Sequence, residues 1–475
     1  MTPHASPPMG PFLGLDLPDH GDGRLNRRQV TSQLAFAASA GVEMTIPDAL
    51  GSDARAEGFY RFVRNKEVLP EAIIAPHVKA VLAHSMHGAT VVIHDTTNIQ
   101  LPSLNGAQDI DDLGNGQSGF RAHTAIIVDE LGATPIGLAH LEIVDRVAKS
   151  PDKKRSRKDS EGLRWGRGVQ AVANVTTERA EVIHVCDREA DDYSLMAGVQ
   201  ALGQKFIIRA NQDRMTATVG QTKERIFSLI GKAPLIGHCT VDVPPSQTVN
   251  RRRKDTKRTD RTARTATLQL RAIPVRLLRP KNQPGKGQPR YLDLWVIDAR
   301  EECPPDGEAD LHWTLWSNLP TTTVAEALRA LALYRARWRT EELYKALKTG
   351  LAFGKTRFES KFTACRALAL MLPVAAGLLR LRAMENLAPT LAGEHILDPI
   401  QIRVLHALDP KLPAKPTIGD VLRTIARLGG FLIQNKKAGW LVLGRGYSKF
   451  LLASAAWKFS RNLALSPLEA SLVAM

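Results

Sequence analysis

The first half of the chain alternates short, β-branched apolar runs with polar turns, and this pattern predicts strands. The predicted strands are 90–93, 122–128, 133–141, 181–186 and 205–209. Helical periodicity covers 163–174 and 191–202, between the later strands. A hairpin of strands followed by alternating helices and strands predicts a mixed α/β sheet.

The pattern changes on both sides of this sheet. Residues 1–22 are rich in proline and glycine, which favours an irregular arm, and short helical patterns follow from Arg24 and over 53–65. Residues 213–318 contain short strand patterns between basic and Pro/Gly-rich connectors. From Thr323 onward, long helical patterns dominate.

These changes predict three domains. The N-terminal domain, 1–70, is helical; an α/β domain, 71–365, carries a β-rich insertion at about 213–318; the C-terminal domain, 366–475, is helical. Within the insertion, the run 251–264 has eight Lys or Arg residues against two Asp. This run has no apolar periodicity, so it is either solvated or in contact with phosphates.

The chain is strongly basic. It has 64 Lys and Arg against 48 Asp and Glu, a net charge of +16, and a pI near 9.8. A positive field of this size favours polyanionic partners, with nucleic acid first and an anionic membrane surface second. A basic enzyme without such a partner has the same composition, so charge alone leaves the function open. Hydrophobic residues make up 44% of the chain, which excludes wholesale disorder.

Other features argue against membrane, secreted and zinc-binding classes. The longest apolar run, 367–379, contains Pro373 and is shorter than the roughly 18 residues that a membrane span needs. The first 16 residues lack the basic and then apolar order of a secretory signal. The four cysteines form no CxxC pair and have no zinc spacing with histidine, which predicts reduced thiols. We therefore expect a cytoplasmic protein without a membrane partner.

Two aspartates follow predicted strands. Asp95 comes after the apolar run 90–93, and Asp187 comes after 181–186. Because sheets present ligands at strand ends, both carboxylates are candidates for one crevice. An aspartate after a strand is also common in turns and caps, so neither one alone indicates a site.

A third candidate carboxylate lies on the predicted helix 332–348. At about 100° per residue, the polar face of this helix spans an arc of roughly 80°. Its members are Tyr334, Arg337, Glu341, Lys345 and Lys348. The alternative is a solvated face with an i,i+4 pair between Glu341 and Lys345.

Three carboxylates that lie close together repel one another, and a bound cation is needed to offset that repulsion. Each pair at 4 Å repels by about 4 kcal/mol at an effective dielectric near 20, and a divalent ion removes that cost. Ligation by oxygen alone favours Mg²⁺ or Mn²⁺. Two such ions would activate a water or hydroxyl and stabilise the leaving oxygen of a phosphodiester.

Several motifs together resemble a known family. They are Asp-Thr-Thr at 95–97, Asp-Arg-Glu-Ala-Asp at 187–191, the signature Tyr334-xx-Arg337-xxx-Glu341-xxxxxx-Lys348, and the segments 57–65 and 424–431. On these motifs the chain resembles the DDE transposases of the insertion-sequence-four group. Within that group it most resembles the transposon-five cut-and-paste transposases. The likeness spans most of the chain, although the segment after Phe431 diverges.

This resemblance implies an RNase H-like catalytic core in which Asp95, Asp187 and Glu341 bind two Mg²⁺ ions, with Mn²⁺ as a substitute. A β-strand insertion separates the second and third carboxylates. A helical end-recognition domain precedes the core, and a helical C-terminal domain joins two subunits in a synaptic complex. The implied reaction takes place on bacterial nucleoid DNA: nicking at the element end, hairpin formation, hairpin opening and strand transfer into target DNA.

The resemblance also implies DNA contacts. Tyr334 and Arg337 would hold a phosphate near a flipped base, on which Trp313 would stack, while Lys345 and Lys348 would bind the backbone. The remaining implied contacts are Arg209, beside the DNA, and the end-binding arginines Arg27, Arg28, Arg61 and Arg64. A core tryptophan at 313 and a solvated sheet edge at 209 are the alternatives.

Two other functions remain open at this point. The protein could be a metal-dependent nuclease that hydrolyses DNA without strand transfer. It could also be an inactive DNA-binding copy or inhibitor.

Overall fold

A computed structural model of the chain describes residues 18–461, except 39–45, 85–87, 106–108, 115, 133, 145–161, 180, 218–222, 249–258, 282–286, 352 and 433–437. Most of the predicted N-terminal arm and of the basic run 251–264 lies outside the described residues. The chain divides into two compact units. The first unit comprises Met1–Glu178 and Trp338–Met475, and the second comprises Arg179–Arg337.

Helices occupy both ends of the described chain, and most of the strands lie between them. The helices are α1 Gly23–Ala38, α2 Ile46–Leu50, α3 Asp53–Val63, α4 Pro70–His84, α5 Leu163–Val175, α6 Tyr193–Ala201, α7 Ile226–Gly231, α8 Val324–Arg335, α9 Trp338–Lys345, α10 Lys361–Leu387, α11 Pro399–Leu408, α12 Ile418–Leu428 and α13 Trp440–Ser460. The strands are β1 Thr90–Gln100, β2 Asp111–Gly114, β3 Gln117–Val128, β4 Pro135–Val144, β5 Val182–Cys186, β6 Lys205–Arg209, β7 Met215–Ala217, β8 Lys223–Arg225, β9 Gly237–Val243, β10 Ser246–Thr248, β11 Thr259–Arg261, β12 Arg264–Leu278, β13 Tyr291–Glu301 and β14 His312–Ser317. The predicted mixed α/β class is confirmed, whereas the three predicted domain boundaries stay predictions.

The first unit is built on an antiparallel sheet. Strand β3 pairs with β1 on one edge and with β4 on the other, and β2 pairs with the start of β3. Helices α4, α5 and α10 pack against β4. Strand β1 of this sheet carries Asp95, the first candidate carboxylate.

One predicted strand end is wrong. Strand β1 does not stop before Asp95 but continues to Gln100, and Asp95 lies opposite Thr124 of β3. The polar run after Ile93 resembles a turn in sequence, yet its backbone goes on pairing with β3. The polar side chains of this run find partners on neighbouring elements, as described below, so the strand can continue.

Helix α10 is the apolar centre of the first unit. It is long and apolar enough to cross a membrane by length and composition, but 94% of its most apolar window is buried within the structure. It packs against α1, α4, α9 and α12. A helix that is apolar all round is found in protein cores as well as in membranes, so α10 is explained by its burial.

Helices α12 and α13 cross at close range. The crossing depends on two glycines, because a Cβ on Gly429 would lie 1.9 Å from the carbonyl oxygen of Val442, and one on Gly446 would lie 1.8 Å from that of Ile425. Helix α12 begins at a capping box in which Thr417 and Asp420 exchange hydrogen bonds. These contacts fix the C-terminal helices described up to Arg461.

The second unit contains a largely antiparallel sheet. Strand β5 is parallel to β6, and the order continues through β14, β13 and β12 to β7 and β8, with β9 also on β12. The insertion strands therefore extend the sheet that begins at β5, because β14 returns to pair with β6. Asp187 directly follows β5, as predicted.

The predicted helix 332–348 is interrupted. Helix α8 ends at Arg335, Arg337 N donates to Tyr334 O at 3.1 Å, and α9 begins at Trp338. The apolar side chains of α8 are buried in the second unit, and those of α9 in the first. The single helix predicted over 332–348 is therefore wrong, whereas the roles predicted for the five polar residues on it stay predictions.

Candidate active site

In the first unit, the candidate site is built around three consecutive residues of β1. Asp95, Thr96 and Thr97 each accept a hydrogen bond from a different element. The donors are Thr340 Oγ1 of α9 to Asp95 Oδ2 at 2.7 Å, Arg164 Nε of α5 to Thr96 Oγ1 at 2.7 Å, and Lys348 Nζ to Thr97 Oγ1 at 2.8 Å. The segment of β1 that carries the first carboxylate is thus held from several sides.

Glu341 directly follows Thr340, the residue of α9 that donates to Asp95. It is half-buried in the first turn of α9, directly after Thr340, which is fully buried against Asp95. The first turn of a helix favours a carboxylate, because unpaired backbone N–H groups give that end a partial positive charge. A second threonine contact, Thr124 Oγ1 with Tyr344 Oη at 2.7 Å, ties β3 to α9. The structure therefore brings the strand of Asp95 and the helix of Glu341 together.

The two predicted lysines differ in their surroundings. Lys348 is exposed overall, yet its ammonium reaches Thr97, and burial of that end lowers the pKa of Lys348 while Asp95 opposes the shift. Lys345 is exposed, and its Nζ lies 5.1 Å from the ring centroid of Trp338. A cation beside an aromatic face is a combination that nucleic acids bind.

Behind Asp95, a buried histidine supports the strand. His123 Nδ1 lies 2.9 Å from Thr96 Oγ1. Burial lowers the pKa of His123 to about 3, so the imidazole is neutral near pH 7. The Thr96 hydroxyl can then donate to His123 while its oxygen accepts from Arg164.

In the second unit, Asp187 caps a short turn. Its Oδ1 accepts from Glu189 N at 2.8 Å, so the cap function weighed from the sequence is present. Four residues on, the buried Asp191 accepts from Asn211 N, Gln212 N and Arg214 Nε at 2.7–2.8 Å. Asp191 therefore fixes the turn that follows β6.

Four of the predicted DNA contacts lie near one another in this unit. Tyr334 forms a side-chain hydrogen bond with Arg209, whose Nη2 also donates to His312 O at 3.1 Å. Burial raises the pKa of Tyr334; Arg209 and Arg337 oppose the rise, and Asp187 adds to it. The Trp313 ring lies 6.4 Å from that of Tyr334. Arg209, Arg337 and Trp313 thus lie near Tyr334, and Asp187 is close enough to Tyr334 to raise its pKa.

Trp313 fits both interpretations weighed from the sequence. It is half-buried and packs against the core cluster that includes Val241, Leu268 and Leu331. Its other neighbour is the Tyr334 ring, at an interplanar angle of 63°. The tryptophan is therefore part of the core and part of the candidate DNA-contacting cluster.

The predicted N-terminal arginines lie on α1 and at α3. Arg27 is exposed and Arg28 half-buried on α1. Arg61 pairs with Glu57 at 2.7 Å, and Arg64 pairs with Glu359 at 2.5 Å. Exposed ion pairs contribute little to stability, so these arginines can exchange their carboxylate partners for phosphates.

Among the residues that the structure describes, no three His, Cys, Asp or Glu side chains form a group that could hold a metal ion. Asp95 and Glu341 belong to the first unit and Asp187 to the second. Joint metal binding by the three carboxylates stays a prediction. Their oxygen-only donor set suits a hard dication.

Sequence reasoning missed two residues of these clusters, Thr340 and Arg164, and it gave Asp191 no role beyond the motif 187–191. A signal for Thr340 was available, since 340, 343 and 347 share a helical face on which the other two residues are leucines. A polar side chain on a buried face needs a partner. No comparable pattern marks Arg164, because the sequence before α5 does not show how this helix is placed against the sheet.

One comparison with known proteins supports a transposase. Residues 15–68 match the transposase DNA-binding family. The structure is also similar to the piggyBac transposase in its synaptic complex with hairpin DNA, with a TM-score of 0.39 and 7% identity, over 94% of this chain and 75% of that chain. So distant a likeness assigns neither a fold family nor an activity. The family match places residues 15–68, and with them α1 and α3, in a transposase DNA-binding segment and supports a DNA transposase.

Proposed function

We propose that this protein is a DNA transposase that cuts and joins DNA by metal-dependent phosphodiester chemistry. The observation that carries the proposal is the match of residues 15–68 to the transposase DNA-binding family. The net charge of +16 agrees with a DNA partner. The motifs around Asp95, Asp187 and Glu341 add the chemistry that such an enzyme needs.

The oxygen-donor chemistry of the three carboxylates suits the implied metal. Carboxylate oxygens are ligands that Mg²⁺ prefers, and those of Asp95 accept hydrogen bonds from Thr340 Oγ1 and Thr96 N that orient the group. Lys348 donates to Thr97, and the nearby charge of Asp95 raises the pKa of Lys348 against the larger effect of burial. Bound Mg²⁺ would activate a water or hydroxyl nucleophile and stabilise the leaving oxygen. In this proposal Asp95, Asp187 and Glu341 hold two ions, and Mn²⁺ can replace Mg²⁺.

The protein's own groups would position the DNA. Tyr334, Arg337 and Arg209 present a hydroxyl and two cations that suit a phosphate beside Asp187. Trp313 would stack on an extruded base, which offsets part of the few kcal/mol that extrusion costs. Lys345 and Lys348 would hold the backbone near Asp95. The pairing of arginines and lysines around acids suits a substrate that is itself anionic.

We extend the proposal to family, fold and assembly. The signature from Tyr334 to Lys348 supports membership in the insertion-sequence-four group of DDE transposases, with an RNase H-like core. The reaction would be cut-and-paste transposition through a DNA hairpin. Two subunits would meet through the C-terminal domain on the transposon ends and target DNA, in the bacterial cytoplasm.

A plasmid assay tests the function. Purified full-length protein is incubated with a plasmid that carries the inverted repeats flanking its gene, with and without Mg²⁺. We expect nicking, hairpin ends and insertion into a target plasmid only with Mg²⁺. We expect Asp187→Asn to bind the same ends and to lose nicking.

The outcomes separate the alternatives. Cleavage without insertion would favour a nuclease that does not transfer strands. End binding that is equal with and without Mg²⁺, with no turnover, would favour an inactive copy or inhibitor. If Asp187→Asn nicked as well as the wild type, the assignment of the carboxylates would be wrong.

A further inference from the structure

Within the first unit, each oxygen of the Asp95 carboxylate accepts a hydrogen bond from a different donor. Thr96 N donates to Oδ1 at 2.8 Å, and Thr340 Oγ1 donates to Oδ2 at 2.7 Å. The first donor belongs to the residue next to Asp95 and comes with the strand. The second donor comes from α9, the helix that carries Glu341 in the following position.

We propose that Thr340 is a positioning residue that sets the orientation of the Asp95 carboxylate for metal binding. This inference rests on the proposed function. The second side-chain torsion of aspartate is broad, so a carboxylate turns unless its oxygens are held. A hydrogen bond from a rigid neighbour fixes the orientation of the carboxylate, and a metal site requires its ligands to be placed within a fraction of an ångström.

Thr340 suits this purpose by shape and position. It is 0% exposed, and its β-branched side chain has few rotamers in a helix. Thr340 directly precedes Glu341, so one short segment of α9 carries the Glu341 carboxylate and also orients the Asp95 carboxylate. A displacement of α9 would therefore change both carboxylates together.

The competing explanation is purely structural: Thr340 would only dock α9 onto β1. The chain offers a matched comparison, because Thr124 is also 0% exposed and its hydroxyl ties β3 to Tyr344 Oη of α9. Thr340→Val removes a hydroxyl from α9, and Thr124→Val removes the equivalent hydroxyl from β3 where β3 contacts α9. A docking role predicts similar effects, and a positioning role predicts different ones.

The experiment compares wild-type full-length protein with Thr340→Val, Thr340→Ser and Thr124→Val. Three quantities are measured: Mn²⁺ affinity by paramagnetic resonance titration, the Mg²⁺ concentration for half-maximal nicking, and the thermal midpoint. We expect Thr340→Val to weaken Mn²⁺ binding and to raise the Mg²⁺ requirement by about 10-fold to 100-fold, as for other residues that orient a ligand. We expect Thr340→Ser to restore both and Thr124→Val to leave both near wild type.

The results can overturn the inference without touching the function. If wild type binds Mn²⁺ and nicks DNA while Thr340→Val does so equally well, Thr340 is not a positioning residue. If Thr124→Val weakens Mn²⁺ binding as much as Thr340→Val, docking of α9 is the explanation. If wild type neither binds Mn²⁺ nor nicks DNA, the proposed function itself fails and this inference with it.

Discussion

At the scale of single residues, the second unit concentrates its candidate chemistry around the Tyr334 hydroxyl. The ring is buried, and the hydroxyl meets Arg209 and Arg337 as well as the charge of Asp187. Since burial raises the pKa of Tyr334, the hydroxyl stays protonated near neutral pH and can donate to a phosphate oxygen. This is why a tyrosine, and not a further cation, is useful at this position.

Tyr334→Phe should therefore lower the nicking rate by about tenfold, since a hydrogen bond to a charged partner is lost while the ring remains. End binding in a gel-shift assay should change little, because the arginines remain. Tyr193→Phe is the matched control in the same unit, where the hydroxyl donates to the backbone oxygen of Pro289 at 2.8 Å. An equal loss in both variants would argue for a general structural effect instead.

At the scale of elements, the helical crossing of α12 and α13 is a tightly constrained contact in the described C-terminal part. The crossing brings Gly446 against the backbone of α12, and a Cβ there would lie 1.8 Å from Ile425 O. Backbone atoms cannot rotate away as a flexible side chain can, so the helices would have to separate. The proposed dimerisation domain includes this crossing.

Gly446→Ala should accordingly destabilise the protein by about 3 kcal/mol or more, because overpacking against backbone forces the helices apart. Gly198→Ala is the control: a Cβ on this helical glycine of α6 would meet no atom within 4 Å, so alanine should be neutral or slightly stabilising. Urea unfolding of both variants measures the difference. A neutral Gly446→Ala would contradict the close crossing.

Elements also show how far the sequence could lead. Strands β5 and β6 and the position of Asp187 followed from β-branched runs with clear ends. The end of β1 did not, because the partners that let polar residues 95–98 remain in a strand, such as Thr340, Arg164 and Lys348, are distant in sequence. The sequence also did not reveal the break between α8 and α9. The helical period continues across the break, although the buried side chains of α8 belong to the second unit and those of α9 to the first.

At the scale of the whole molecule, buried neutral histidines couple stability to pH. Burial lowers the pKa of His77 and of His184 to about 4 each; His77 accepts from Leu138 N, and His184 lies 2.8 Å from Gln204 Oε1. The unfolded chain has ordinary histidines, with a pKa near 6.5. Between about pH 6.5 and 4 the unfolded chain therefore binds more protons than the folded one.

The free energy of unfolding should thus fall as pH falls from about 6.5 to 4, and the loss should level off below the folded pKa values. His77→Gln and His184→Gln should each make this pH dependence shallower, whatever they do to stability at pH 8. Urea unfolding at several pH values gives the slope. A slope unchanged in both variants would show that other groups cause the acid sensitivity.

The central claim is that three carboxylates, separated in sequence, serve one metal-binding function. The most direct measurement is the number of Mn²⁺ ions that the full-length protein binds with its DNA end, by paramagnetic resonance, in wild type and in Asp95→Ala, Asp187→Ala and Glu341→Ala. We expect two bound ions in wild type and the loss of at least one in each variant, with DNA binding retained. Equal Mn²⁺ binding in wild type and all three variants would contradict the claim.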